Sequence, residues 1–405
     1  MKGWYKVLGV GVLVVGILAV KWVNLYSYLN FTYSGLVLIQ LGLIVSLALV
    51  YKPIKAEGDY FPPISVLVPV FNEDPDTLLG VVQSIIDADY DGEKEIIVVD
   101  DGSTRDLSHT YDMLKTMPEV KLVQFPENKG NKWARAEGIN QSSGEILVFL
   151  DSDTYVVKDC LKEIVQPFQE DSVGAVSGHL NVFNDETIMG KLQYGWYYTG
   201  FRVYRGAEDY IRMVSCCPGA LSAYRRSTLT PELMDDWLNG TFIGLEVTAG
   251  VDRALTNLVL KDHDVRFQYT AQANTVVPTT FRQYMRQQVR WKKSWIRENI
   301  LLASFIHCKG FKSLFFYLSF VLHIANYIVL GRVFFWDILQ LHSVWFATFY
   351  TLGVLLTGFI YALFCRKQKH WQWRILFPAF YSILSLPLLV YSLLTLYDTS
   401  WMTRQ

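Results

Sequence analysis

Long uninterrupted apolar segments lie at both ends of the chain, and this distribution most limits the folds open to it. Segments 7–23 and 33–51 precede a polar central region, and 312–331, 343–364 and 375–396 follow it. Each is about long enough to cross the hydrocarbon core of a bilayer, which takes roughly 20 residues. We therefore expect five transmembrane helices. Residues 334–342 are predicted to be a loop, a re-entrant piece or part of a sixth span.

The order and charge of these segments predict how the chain lies in a membrane. A signal peptide is the alternative for 7–23, but a second apolar segment follows at once and no small-residue cleavage site intervenes. Basic residues flank the first two segments on their outer sides and fill the 365–374 loop, whereas connection 24–32 is uncharged. Because Lys and Arg favour the cytoplasmic side, we expect a multi-pass plasma-membrane protein whose central region is cytoplasmic.

Charge and cysteine content exclude several other classes of protein. The net charge of −1 gives no excess of positive charge for binding nucleic acid. The five cysteines show no CxxC spacing, so the sequence indicates neither a disulfide framework nor a zinc site. The lipid bilayer is the expected partner, and no protein partner is required by any pattern in the chain.

The central region alternates between strand and helix patterns. Strongly apolar runs at 64–71, 95–103 and 145–154 are separated by segments of helical periodicity. Strands that are apolar on both faces are typical of a largely parallel sheet, whose ligands bind at the carboxyl ends of the strands. We therefore predict an α/β domain over residues 56–275, inserted between transmembrane helices.

Four parts of the chain are predicted in all. Residues 1–55 form a transmembrane hairpin and residues 56–275 form the cytoplasmic domain. Residues 276–310 contain helices at the membrane interface, and residues 311–405 contain the carboxy-terminal transmembrane helices.

Acidic and polar residues follow three of the predicted strands. Asn72 and Glu73 follow the first, Asp101 the second, and Asp151 and Asp153 the third. Two carboxylates at positions i and i+2 after a buried strand can converge on one hard divalent cation and leave positions open for phosphate oxygens. The alternative for this DSD sequence is an Asx turn or a helix cap.

The ordered segments VPVFNED, IIVVDDGS, NKGNKWARAEGIN and FLDSDT resemble family 2 glycosyltransferases of the GT-A fold. The resemblance implies a UDP-sugar donor and a Mg²⁺ or Mn²⁺ cofactor with Asp153 as a direct ligand. The implied donor-binding residues are Val68, Pro69, Asn72, Glu73, Asp101, Lys132, Asp151 and Arg290.

Four later segments, SGHLNVFN, CCPGALSAYRRS, GVDRALTN and QQVRW, are similar to membrane-embedded processive synthases, most of all to bacterial hyaluronan synthases. The resemblance implies that Asp252 is the general base, although an aspartate here also suits a helix N-cap. The implied acceptor-binding residues are Cys217, Gly219, Ser222, Arg253, Gln287 and Trp291. For Cys217 a buried structural thiol is the default alternative.

The segment QQVRWKKSWIREN combines aromatic and cationic residues beside an apolar run. A guanidinium at Arg290 can bind a diphosphate through two parallel hydrogen bonds, as the resemblance implies. We expect Lys292, Lys293, Trp295 and Arg297 to lie at the membrane surface, where basic and aromatic residues are favoured.

Two positions depart from the family pattern. Val251 stands where an acidic residue is usual, which removes a like charge beside the proposed base. Asn131 stands where a lysine is usual, so Lys132 would supply the cation or the donor contacts would differ.

Taken with these patterns, the resemblance implies a metal-dependent, processive, inverting transferase that polymerises UDP-GlcNAc and UDP-GlcA into a growing polysaccharide, with hyaluronan as the first choice of product, and moves it across the membrane. Alternatives with the same fold are synthases of chitin-like oligomers, poly-GlcNAc or a glucuronate-containing capsule such as a cellobiuronan. A single-transfer enzyme acting on a lipid-linked acceptor is an alternative of another class. A transporter without enzymatic activity would leave the acidic strand ends unexplained.

Overall fold

The computed structural model of the protein describes residues 26–55, 60–242, 244–246, 250–333, 338 and 344–396. The predicted span at 7–23 and most of 334–342 lie outside the described residues. The chain forms two compact units. One, here called the sheet unit, comprises Val50–Asp185 and Gly200–Val277. The other, here called the helical unit, comprises Glu186–Thr199 together with the described residues up to Leu49 and from Pro278 onward.

The sheet unit is built on one mixed sheet of eight strands in the order β3-β2-β1-β4-β7-β6-β10-β5. Strands β3, β2, β1 and β4 are mutually parallel, and β6 is parallel to β10, whereas β7 and β5 run antiparallel to their neighbours. The strands are β1 Ile64–Val70, β2 Lys94–Asp100, β3 Val120–Gln124, β4 Ile146–Phe149, β5 Thr154–Val156, β6 Val173–Val182, β7 Ser222–Arg225 and β10 Asp264–Thr275, with a separate hairpin of β8 Thr241–Phe242 and β9 Leu245–Glu246.

All residues of β1 and β4 are buried, as expected for central strands covered on both faces. The apolar runs predicted as strands at 64–71, 95–103 and 145–154 are therefore confirmed as adjacent members of a mostly parallel sheet.

Helices connect the strands of the sheet unit. They are α2 Pro75–Ile86, α3 Ser108–Lys115, α4 Asn131–Gln141, α5 Cys160–Ile164, α7 Gly206–Tyr210, α8 Pro231–Asn239 and α9 Val251–Asp262. The start of α2 shows why the chain turns directly after β1: the Asp74 carboxylate accepts a hydrogen bond from the Thr77 amide at 3.1 Å, and Pro75 occupies the first helical turn. The apolar face of α2 is buried against the sheet unit.

The helical unit contains α1 Tyr26–Val50, α6 Ile188–Tyr198, α10 Phe281–Phe305, α11 Ser313–Gly331, α12 Trp345–Phe364 and α13 Trp373–Leu394. Within the described residues, four helical stretches are long and apolar enough to span a membrane: Thr32–Val50, Phe281–Gly331, Ala347–Phe364 and Trp373–Leu394. The spans predicted at 33–51, 312–331, 343–364 and 375–396 each coincide with one of these stretches. The predicted central domain is interrupted, because α6 packs with the helical unit.

Helix α13 contains Pro378 and Pro387. Proline has no amide hydrogen, so Pro378 cannot donate the helical hydrogen bond to the carbonyl of Arg374, four residues before it. Gly358 of α12 lies against this point, since a Cβ there would be 2.9 Å from the Arg374 carbonyl oxygen and 2.7 Å from that of Ile375.

Candidate active site

The carboxyl ends of β2, β1 and β4 lie side by side at one edge of the sheet. Val70 at the end of β1 pairs with Asp100 at the end of β2, and Leu67 of β1 pairs with Phe149 of β4. The polar residues that follow these strands therefore gather in one place. Ser152, after β4, donates a hydrogen bond to the Glu73 carboxylate, after β1, at 2.7 Å.

Asn72 fixes the turn after β1. Its backbone adopts a left-handed conformation, with φ of 52°, which asparagine tolerates better than most residues. Its side-chain oxygen accepts hydrogen bonds from the amides of Thr104 and Arg105 at 2.8 and 2.9 Å. Val68 and Pro69, also predicted to line the donor, are buried in β1 itself. Asn72 thus ties the first strand end to the loop after β2.

Asp101 organises the loop before α4. Its carboxylate accepts hydrogen bonds from the amides of Lys129 and Gly130 at 2.8 and 2.9 Å, and from the Asn128 side chain at 3.1 Å. Burial nevertheless raises the pKa of the Asp101 carboxyl above its ordinary value. Gly102 beside it has a φ of 68°, and a Cβ there would lie 2.3 Å from the Glu127 carbonyl carbon. Only glycine therefore fits where these two loops pass each other.

Asp151 pairs with a buried cation that the sequence analysis did not identify. The Arg135 guanidinium donates to Asp151 Oδ1 at 2.7 Å and, through Nε, to Asn131 Oδ1 at 2.6 Å. Asn131 and Arg135 are one turn apart on α4, and the guanidinium also lies over the Phe149 ring. Asn131 therefore orients Arg135 toward Asp151, the carboxylate predicted to lie near the diphosphate.

Gly219 connects this pair to Asp252. A Cβ at Gly219 would lie 2.2 Å from Nη2 of Arg135, so glycine alone leaves room for the guanidinium. The Gly219 amide also donates to Asp252 Oδ2 at 3.3 Å. Asp252 stands in the first turn of α9, after Gly250 with a φ of 74°. The predicted base and the predicted diphosphate carboxylate are thereby brought into one cluster.

Helix α9 also contacts Cys217, another residue predicted to bind the acceptor. The Cys217 amide donates to Thr256 Oγ1 at 2.9 Å, and that hydroxyl donates to the Asp252 carbonyl at 2.8 Å. Complete burial raises the pKa of the Cys217 thiol above its ordinary value, so this thiol is protonated at neutral pH. Ser222 is buried in β7 opposite Phe149, and Arg253 is half-buried in α9.

Lys132 has a different environment from the one expected for a donor-binding cation. Its ammonium donates to the backbone carbonyls of Leu238 and Trp237, at 2.7 and 3.3 Å, at the end of α8. This placement favours a structural role. Val251, the other departure from the family pattern, is buried, and its carbonyl accepts a hydrogen bond from the Trp237 indole at 2.9 Å.

The carboxylates after β4 suit a divalent cation that is bound together with a substrate. Among the described residues, no three acidic, His or Cys side chains converge as a complete protein metal site. Magnesium and similar ions are commonly held by one or two carboxylates plus substrate phosphates. Asp151 is 37% exposed and has one oxygen engaged by Arg135, while Asp153 lies buried two residues later. This donor set fits a cation completed by a diphosphate.

The QQVRW segment lies in α10 of the helical unit. Thr280 and Gln283 cap the start of this helix through reciprocal hydrogen bonds. Gln287 is buried one turn before Trp291, and its side-chain oxygen has no hydrogen-bond partner among the described residues. The Trp291 ring stacks on Trp196 of α6 with centroids 5.6 Å apart.

The prediction that Lys292, Lys293 and Arg297 lie at the membrane surface is wrong for the described structure, because all three are buried within the helical unit. Arg297 donates to the adjacent Glu298 carboxylate at 2.7 Å. Lys292 hydrogen-bonds the Tyr327 hydroxyl at 2.6 Å. Sequence order placed these cations beside an apolar run, but a hydroxyl and aromatic rings from other helices surround Lys292, and a carboxylate of the same helix pairs with Arg297.

Comparisons with known proteins agree with this geometry. The glycosyl transferase family 2 profile matches residues 65–230. The chain is 32% identical to a hyaluronan synthase of Streptococcus pyogenes over 95% of this chain and 91% of that protein. It is 30% identical to an N-acetylglucosaminyltransferase of Rhizobium meliloti over 94% and 90% of the two chains.

A solved mannosyltransferase from Pyrobaculum calidifontis, in complex with GDP-Man and Mn²⁺, has a similar fold. The TM-score is 0.56 at 20% identity, covering 88% of this chain and 99% of that one. This neighbour confirms the expected GT-A-like fold. The profile match and the extent of identity to the two bacterial enzymes together show that the chain is a glycosyltransferase and belongs to glycosyl transferase family 2.

Proposed function

We propose that this protein is a processive, inverting synthase of the plasma membrane that polymerises UDP-GlcNAc and UDP-GlcA into hyaluronan or a hyaluronan-like polysaccharide and moves the product across the bilayer. Its sheet unit would face the cytoplasm, where UDP-sugars are available. Similarity over 95% of the chain to a hyaluronan synthase supports this proposal. The lipid bilayer is its expected environment, and no protein partner is required.

The contact series Asp151–Arg135–Gly219–Asp252 is the observation that carries the proposal. Asp151, the proposed diphosphate-binding carboxylate, forms a 2.7 Å ion pair with Arg135. The Arg135 guanidinium packs against Gly219 so closely that no Cβ would fit there. The Gly219 amide in turn donates a 3.3 Å hydrogen bond to Asp252, the candidate base. Sugar transfer from a nucleotide needs these two functions on either side of the anomeric carbon. The arrangement therefore supports transfer with a base on one side and UDP departure on the other.

Asp252 would take the proton from the acceptor hydroxyl as its oxygen attacks the anomeric carbon. The new C–O bond forms on the face opposite UDP, the bond from that carbon to the UDP oxygen breaks, and the configuration inverts. UDP leaves with the bonding electron pair as an anion. The Gly219 amide holds the Asp252 carboxylate in position without adding a charge. Val251, which precedes Asp252, is apolar and buried, so it contributes no second carboxylate at this position.

Asp153, with Asp151 beside it, would hold a Mg²⁺ or Mn²⁺ ion against the donor diphosphate. When bound, the cation neutralises charge that develops on the leaving group. Arg135 adds a fixed positive charge next to Asp151. Asp101, Asn72 and Glu73 belong to the loops that would line the nucleotide.

Arg290, Gln287 and Trp291 are proposed to act as in the family motif. Arg290 would bind the diphosphate, and Gln287 and Trp291 would contact the sugar. The buried side-chain oxygen of Gln287, which has no partner within the described part of the chain, is suited to accept a hydrogen bond from a sugar hydroxyl. Trp291 is half-buried, and its ring, stacked on Trp196, would contact the sugar as one of an aromatic pair.

Polar side chains inside the helical unit support product translocation. Helix α11 presents Ser319, His323, Asn326 and Tyr327 along one face, here called the polar stripe. Ser319 accepts a hydrogen bond from Gln40 of α1 at 2.7 Å, and Asn326 accepts one from Tyr350 of α12 at 3.0 Å. Polar groups within membrane helices are costly and often mark a substrate path. A stripe of hydroxyls and amides matches the hydroxyl-rich surface of a sugar chain.

Proteoliposomes containing the purified full chain test this proposal. Radiolabelled UDP-GlcNAc and UDP-GlcA are supplied singly and together, and product is sized, digested with hyaluronidase and assayed inside and outside the vesicles. We expect high-mass, hyaluronidase-sensitive polymer only with both donors, on the membrane side opposite the donor. Transfer of one sugar to lipid, without polymer, would instead identify the single-transfer alternative.

A second candidate function is synthesis of an N-acetylglucosamine oligomer. The 30% identity to a rhizobial N-acetylglucosaminyltransferase over 94% of the chain favours it. Formation of a chitinase-sensitive product from UDP-GlcNAc alone would establish this function and exclude the hyaluronan assignment.

A further inference from the structure

Lys292 is a buried cation in the helical unit that transfer chemistry does not use. The residue is only 5% exposed, although α10 presents it among helices that are otherwise strongly apolar. Its ammonium donates to the Tyr327 hydroxyl of α11 at 2.6 Å. It also lies 5.3 to 5.6 Å from the ring centroids of Trp295, Tyr327 and Tyr381. Side chains from three helices thus enclose one positive charge.

The partners of Lys292 stabilise its charge without neutralising it. Among the described residues, no carboxylate lies within 4 Å of the ammonium, whereas Arg297 on the same helix has its own carboxylate, Glu298. Aromatic faces attract a cation through their quadrupoles, but they carry no net charge. His323 also lies next to Tyr327, with its Nε2 3.1 Å from the same hydroxyl. The cluster therefore retains an uncompensated positive charge.

The cationic cluster is continuous with the polar stripe of α11. Tyr327 belongs to both, and Asn326 beside it also accepts a hydrogen bond from Tyr33 of α1 at 3.0 Å. A sugar chain in contact with this stripe would meet hydroxyl and amide partners along one face and a positive charge at Lys292. A neutral sugar hydroxyl can accept one hydrogen bond from the ammonium, whereas a carboxylate also gains an ion pair, for which no anion among the described residues competes.

We propose that Lys292 is a specificity-determining residue, through which the helical unit distinguishes a carboxylate-bearing sugar chain from a neutral one. This inference rests on the proposed polymerising function and names the residue that would recognise the uronate. It favours an alternating uronate polymer over a neutral N-acetylglucosamine oligomer. The ammonium would pair with the uronate carboxylate while Trp295 and Tyr381 pack against the sugar rings.

Binding measurements on the detergent-solubilised full chain test the selectivity without requiring turnover. Two probes of equal length are compared by tryptophan fluorescence: an alternating GlcNAc–GlcA oligosaccharide and a chito-oligosaccharide. We expect the uronate probe to bind more tightly, with a preference that weakens as salt increases. Lys292→Met should reduce uronate affinity about tenfold or more, as expected for the loss of a charge-assisted bond, and leave chito-oligosaccharide affinity within about twofold.

Lys292→Arg, which keeps the charge, should retain the preference, and Lys367→Met removes an exposed charge from the α12–α13 loop as a matched control. Should Lys292→Met fail to fold, Lys292→Gln, which removes the charge and keeps a hydrogen-bonding group toward Tyr327, replaces it with the same expected result. Equal affinity of the wild-type protein for both probes would overturn the inference, as would an equal loss for both in Lys292→Met. Uronate preference in a protein that makes no polymer would refute the proposed function and leave the selectivity standing.

Discussion

Gly219→Ala is the sharpest test of the cluster that joins the two sides of the active site. An alanine Cβ at this position would lie 2.2 Å from Nη2 and 2.8 Å from Cζ of Arg135, so the guanidinium has to move. The movement breaks its 2.7 Å bond to Asp151. Hydrogen bonds to charged groups contribute about 1.5–3 kcal/mol, and the 37% exposure of Asp151 argues for the lower part of this range.

A loss of about 1.5–2 kcal/mol corresponds to a decrease of about 10- to 30-fold in kcat/KM, since 1.36 kcal/mol is a factor of ten. The measurement is UDP release by full-length protein in vesicles at limiting donor. Gly200→Ala is the matched control, because a Cβ there has nothing within 4 Å, and it should keep wild-type activity.

A double-mutant cycle identifies the cause. In an Arg135→Ala background the side chain that clashes with residue 219 is gone, so Gly219→Ala should cost less than about twofold there. If the cost were the same in both backgrounds, the glycine would not act through Arg135 and the proposed connection would be refuted.

Four further substitutions or treatments test individual residues. Asp153→Asn should abolish turnover and weaken the metal-dependent part of UDP binding in calorimetry, because a hard cation loses an anionic ligand; full turnover in EDTA would contradict this. Asp252→Asn should lower transfer by roughly 10²-fold or more with UDP affinity nearly unchanged, and a collapse of UDP affinity would show a structural role instead. Asn131→Ala removes a neutral partner of Arg135 and should reduce kcat/KM by up to about tenfold, less than Arg135→Ala does in the same assay. Maleimide at neutral pH should label exposed Cys308 and spare Cys217, whose buried thiol stays protonated, and mass spectrometry of the labelled peptides would detect the opposite pattern.

Local patterns were sufficient to predict the framework of the sheet unit. The strands before Asn72, Asp101 and Asp151 are short apolar runs followed by turn-forming polar residues, and both signals lie within a few residues of each other in the sequence. Parallel pairing then brings their carboxyl ends together without further information. The apolar spans were predicted for the same reason, because length and composition alone decide them.

Contacts between distant parts of the chain were beyond sequence reasoning. Arg135 and Gly219 are 84 positions apart, and nothing local in either segment indicates that one excludes a side chain from the other. The i, i+4 spacing of Asn131 and Arg135 can be seen in the sequence, but only the fold shows that the Arg135 guanidinium reaches Asp151.

The burial of Lys292 was missed for a related reason. A lysine beside an apolar run resembles a headgroup contact, and the compensating rings of Tyr327 and Tyr381 come from helices much later in the chain.

The close contact of Gly358 with the carbonyls of Arg374 and Ile375 has a consequence for how the protein meets bilayers of different thickness. A sliding movement of α12 by one turn would bring the side chain of Val354 or Ala362 to the position that admits only glycine. Helices adapt to hydrophobic mismatch by tilting, kinking or shifting. Because sliding is blocked at this point, α12 and α13 are expected to keep their mutual packing and tilt together as a rigid pair when the membrane becomes thinner.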